Sequence, residues 1–140
     1  MLDTHALLWW LADDIRLADA ARAAIADSAN DAFVSAASAW EIAIKARLGK
    51  VSMPDDLGEQ LAANSFTPLP VQLTHALAVR HLPDHHRDPF DRLLVAQAQV
   101  EGLTLARPTS RSRGTTSRCL PPVRGLDEAP LVPVGTARGN

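Results

Sequence analysis

A chain of 140 residues has room for one domain, and an apolar fraction of 46% supplies a core from Ala and Leu rather than from its three Trp and three Phe. A formal net charge of -2 excludes a molecule-wide positive field for attracting nucleic acid, although a local phosphate site remains open. The single cysteine, Cys119, excludes an internal disulfide and fits a reducing cytoplasm. In chain order, the start MLDTHALLWWLADD lacks a basic leader and cleavage site, and no stretch approaches the length of a membrane span. HALLWWLA (5–12) reads as a short helix, and 17–28 as a second with Leu17, Ala20, Ala21, Ala24 and Ile25 on one face. DAFVSA (31–36) reads as a short buried strand, followed by a helix over 38–49 that Gly49 ends. A helix over 53–64 has Pro54 near its start and Leu57 and Leu61 one turn apart. FTPLP (66–70) is a short strand bounded by prolines. Residues 73–82 and 88–102 read as helices, and LTLA (103–106) as a buried strand. Alternating helices and short apolar strands predict an α/β domain with a parallel sheet. Met1 and Leu2 look too few for a central first strand, and nothing after Ala106 resembles an element that closes the sheet.

Three acids recur at helix starts: Asp3, Glu41 and Asp91. Parallel sheets bind ligands outside the carboxyl ends of their strands, where helix N-termini also point. Carboxylates converging there need a cation to offset their repulsion, and hard oxygen donors select Mg²⁺ or Mn²⁺. Each acid also has an ordinary helix-start role. SAWE (38–41) fits a capping box with Ser38 as cap, DPFD (88–91) fits one with Asp88 as cap and Pro89 next, and Asp3 caps the first helix. Capping and ligation are not exclusive, and the residues by themselves leave both open.

The blocks LDTHALLWWLADD, FVSAASAWEIAIKARLGKV and HHRDPFDRLLVAQAQVEGLTL together resemble the PIN-domain family, and within it the VapC-like toxins of bacterial type II toxin–antitoxin pairs. The resemblance runs from residue 2 to about 106, in the family's order and spacing. It implies a PIN-like α/β/α sandwich over 1–106, incomplete at both ends, and a Mg²⁺- or Mn²⁺-dependent endoribonuclease. It implies a cytoplasmic VapB-like antitoxin partner, an RNA substrate, no membrane, and the homodimer that family members often form. On the family pattern Asp3, Glu41 and Asp91 are the catalytic, metal-binding acids, with Asp88 a neighbouring or capping residue. Thr4 and Ser38 are candidates to hydrogen-bond a metal-bound water, and Lys45 and Arg92 to touch RNA phosphates. The implied chemistry is in-line attack by a water of lowered pKa, leaving a 5′-phosphate and a 3′-hydroxyl. Trp9, Trp10 and Trp40 fit core or antitoxin-facing positions. Asp13 and Asp14 read as solvated loop acids. His81, His85 and His86 lack the further spaced ligand that zinc requires.

The chain departs from this family after Ala106. The family's fourth acid follows that strand in a Thr-x-Asp stretch, whereas here Arg107 to Arg118 are drawn only from Arg, Pro, Thr, Ser and Gly. Residues 107–140 read as a tail produced by loss of one nucleotide just after Ala106. Moving the frame back by one base permits TPDEPIARYDVPL, which restores the acid, a short helix and a closing strand. The competing reading is an authentic disordered, basic tail that touches RNA. With one acid and the last strand missing, the alternative to an active nuclease is a degenerate PIN protein that only binds antitoxin. A haloacid-dehalogenase-type phosphatase is disfavoured, because His5 stands where that chemistry needs a second Asp.

Overall fold

The computed structural model describes residues 1–54, 56–83 and 88–107. Six helices and two strands follow one another: α1 (Thr4–Leu11), α2 (Asp19–Ala26), β1 (Phe33–Ser35), α3 (Ala36–Arg47), α4 (Leu57–Ala63), β2 (Thr67–Leu69), α5 (Leu73–Ala78) and α6 (Pro89–Val100). A single 3₁₀ turn, Val79–His81, extends α5. The strands β1 and β2 pair in parallel, Val34 opposite Pro68. The expected α/β class holds.

The first strand is as short as expected, yet it sits centrally. Leu2 forms parallel bridges to both Val34 and Ala106. Its N–H donates to the Phe33 carbonyl at 2.8 Å, and the Asp3 N–H donates to the Ala106 carbonyl at 2.9 Å. Ala106 returns a bond to the Met1 carbonyl, and the Met1 amino group reaches the Thr104 carbonyl. The expected strand 103–106 is thereby reduced to a bridge at Ala106. The spatial order is β2, β1, Leu2, Ala106, all parallel.

Alternation along these segments divides the core. Leu2 and Val34 face a cluster with Leu7, Ile42, Leu57, Leu61 and Phe66, whereas Met1 and Phe33 face Ala37, Leu94 and Ala98. Helices α1 and α4 therefore cover one face of the sheet and α6 the other, with α3 contributing to both. Burial on α2 is narrower than its pattern suggested: Leu17 is buried and Ala21 and Ile25 half-buried, but Ala20 and Ala24 are exposed. Helix α4 starts after Pro54, at Leu57, with Asp56 as its cap residue.

The start of α3 corrects the sequence reading. Ser35, not Ser38, is the cap: its Oγ accepts from the Ala37 N–H at 3.0 Å and donates to Gln97 Oε1 at 2.6 Å. The same amide donates to the Pro70 carbonyl at 3.0 Å, so one buried pair joins the end of β1, α6 and the chain leaving β2. That second use of Ser35 favours starting the helix three residues early. Glu41 then lies in the second turn rather than the first.

Both long helices end in Schellman motifs. Gly49 (φ +68°) donates to Ala46 and Lys50 to Lys45; Gly102 (φ +65°) donates to Gln99 and Leu103 to Ala98. The second motif turns Leu103 back onto the core and starts the approach to Leu2. The histidines His85 and His86, and the tail from Pro108 onward, lie outside the described residues, as does Asp55.

Truncating the buried Leu94 to Ala should cost about 2–5 kcal/mol in urea unfolding, whereas Ile15→Ala should change stability by less than about 0.5 kcal/mol. Leu94 is 0% exposed and Ile15 is 97% exposed. Equal effects at the two positions would contradict this core.

Candidate active site

Asp3 and Glu41 follow parallel segments of the sheet, Leu2 and β1, whereas Asp91 stands in the first turn of α6. Asp3 follows Leu2 directly and caps α1, accepting the His5 N–H on Oδ1 at 2.9 Å. It is buried nonetheless, at 5% exposure. Glu41 is also buried, and the Thr4 hydroxyl donates to its Oε2 at 2.6 Å. That bond ties α1 to α3 across 37 residues of chain. The other oxygen, Oε1, takes Lys45 Nζ at 2.5 Å.

Asp91 completes the group from α6, where Asp88 caps the helix as the sequence predicts. Asp88 accepts from the Phe90 N–H at 2.8 Å and the Asp91 N–H at 3.3 Å. Burial pushes the Asp91 carboxyl above its ordinary value, and the nearby Asp3 carboxylate pushes it further. The Arg107 guanidinium pulls in the opposite direction, and Asp88 and Glu41 add smaller upward pushes. Asp3 and Glu41 are thus close enough to Asp91 for their charges to act on it.

Lys45 and Arg92, candidates to touch RNA phosphates, are both engaged by groups of the chain itself. Lys45 folds back onto Glu41. Arg92 donates to the carbonyls of Pro83, Val79 and Leu82, closing the turn between α5 and α6. Ser38 is fully buried, one turn before Glu41, and its Oγ finds no hydrogen-bond partner among the described residues. Trp9 lies beneath the Arg16 guanidinium, and Trp10 joins the core against Phe66. Trp40 is 60% exposed and meets Phe90 edge-on. Asp13 and Asp14 are ion-paired with Arg22 and Arg16, and the Arg16 hydrogen bonds lower Asp14 to about 2.

The sequence reading missed Arg107, which it assigned to the tail. Its place follows from a pairing that only the structure shows: Ala106 and Leu2 are parallel neighbours, so the residue after Ala106 lies at the same sheet end as Asp3. It also passed over His75, fully buried and bonded through Nε2 to Glu101 at 2.8 Å and through Nδ1 to the Gln72 N–H at 3.0 Å.

The donors suit a hard divalent cation in kind: three carboxylates with the unpartnered buried hydroxyl of Ser38 beside them. Among the described residues, however, no three His, Cys, Asp or Glu side chains close on one ion as they stand. Glu41 is turned toward Thr4 and Lys45 instead.

The fold is an α/β domain with a short parallel sheet. The PIN domain matches residues 1–108, and the chain belongs to the PIN-domain family, whose members are generally nucleases and typically use divalent metals. No curated protein sequence matches it significantly. Among the described residues, no helix is long and apolar enough to cross a membrane.

Because folding raises the Asp91 pKa, the folded state holds that proton more tightly than the unfolded chain does. Its charge therefore costs stability at neutral pH, and the cost fades as pH falls through the raised value. In chelator at pH 7, Asp91→Asn should raise Tm by about 2–4 °C, with the gain lost in acid. A lower Tm at pH 7 would contradict the like-charge crowding described here.

Proposed function

We propose that this chain is a VapC-like toxin: a Mg²⁺- or Mn²⁺-dependent endoribonuclease of the cytoplasm, held in check by a VapB-like antitoxin. The observation that supports it most is the meeting of Asp3, Glu41 and Asp91 from separate elements, with Thr4 hydrogen-bonded to Glu41. Asp3, Glu41 and Asp91 would hold the cation. When bound, it supplies a water of lowered pKa and offsets negative charge on the phosphate. The protein's own contributions are positional. Thr4 fixes one Glu41 oxygen, the Asp88 cap holds the first turn that carries Asp91, and Ser38 offers a buried hydroxyl. Asp3 keeps its second carboxylate oxygen available after Oδ1 has capped α1. Arg92 has no substrate role in this reading, since carbonyls of the α5–α6 turn take its guanidinium.

A second reading is supported by the engagement of both Glu41 oxygens by Thr4 and Lys45: a degenerate PIN protein that retains antitoxin binding without cleavage. Incubating purified protein with RNA and Mn²⁺ separates the two. The nuclease reading expects cleavage that chelator stops, that Asp3→Asn and Glu41→Gln abolish, and that antitoxin inhibits. An uncut RNA with antitoxin binding intact would sink it in favour of the binding module.

A further inference from the structure

A Glu four residues before a Lys on a helix ordinarily makes a solvated pair worth a few tenths of a kcal/mol. The Glu41–Lys45 pair is in a different setting. The Glu41 side chain is 5% exposed and that of Lys45 is 28%, so the ammonium reaches inward from the surface to a buried carboxylate. Thr4 holds the second oxygen, and both Glu41 oxygens are thus engaged by groups of the chain itself. Asp3 and Asp91 add further negative charge to the pocket, and Arg107 offsets it from the Asp91 side. Buried carboxylates so arranged need positive charge beside them. A lone pair that binds an ammonium cannot at the same time ligate a metal ion. The lysine stem is flexible, and its partial exposure gives the head a route to water.

We propose that Lys45 is a tethered counter-ion of the acid pocket: it occupies Glu41 when no divalent cation is bound, and its positive charge competes with an incoming cation for that carboxylate. Lys45 thereby lowers the pocket's affinity for the cation and keeps the acids charge-balanced without it. This role rests on the reading of the pocket as a metal centre. It makes Lys45 a positioning residue that acts through Glu41, rather than a contact to substrate.

Calorimetric titration of the full chain with Mn²⁺, paired with thermal melts in chelator, tests the proposal on K45M and K45R. K45M removes the charge and keeps an unbranched stem. It should bind Mn²⁺ at least about tenfold more tightly than the wild type, and melt roughly 4 °C or more lower in chelator. K45R keeps a cation that grips carboxylates in two places, so it should bind Mn²⁺ about threefold more weakly than the wild type. K45R carries the test if K45M does not fold: tighter Mn²⁺ binding by K45R then overturns the proposal. A K45M that melts lower yet gains no Mn²⁺ affinity makes Lys45 a structural partner of Glu41 only, and that too overturns it. Failure of every protein, wild type included, to take up Mn²⁺ would instead overturn the reading of the pocket as a metal centre.

Discussion

The structure depends on Leu2 being paired on both sides. One residue, bridged in parallel to Val34 and to Ala106, joins the two ends of the described chain to the middle of the sheet. It does so with few hydrogen bonds, so burial must hold it: Leu2 is 2% exposed and lies in the same cluster as Leu7 and Ile42. Its position fixes Asp3, the next residue, at the sheet's carboxyl end. Asp3 caps α1, α1 presents Thr4 to Glu41, and the acid pocket is assembled from there.

Much of this was legible because it is local. The apolar spacing of α6, with Asp88 before Pro89, states both where that helix begins and which face it buries. Gly49 and Gly102 mark the ends of α3 and α6 because their left-handed backbone suits only such positions. The recurrence of acids at three helix starts suggested their grouping, and the family resemblance gave that grouping a chemical role.

What was not legible depends on contacts distant in sequence. SAWE pointed to Ser38 as the cap of α3, and local chemistry offered no reason to prefer Ser35. The choice goes to Ser35 because Gln97, 62 residues away, hydrogen-bonds it. Likewise LTLA reads as a strand by composition, but only Ala106 pairs, with Leu2, more than a hundred residues away in the chain. The pairing of Lys45 with a buried Glu41 was not legible, because helix spacing says nothing about how deep a partner lies. The pocket's balance of charge emerges only when four elements are brought together.

The capping role of Asp3 has a consequence for how such a site decays. Asn starts a helix about as well as Asp does, so an Asp-to-Asn change, reachable by a single base, would leave the fold's first joint intact while removing a charge from the acid cluster. An apolar replacement would lose both. Selection for folding alone would therefore tolerate the first change and resist the second. A lineage released from nucleolytic duty would lose its chemistry at this position before it lost its shape.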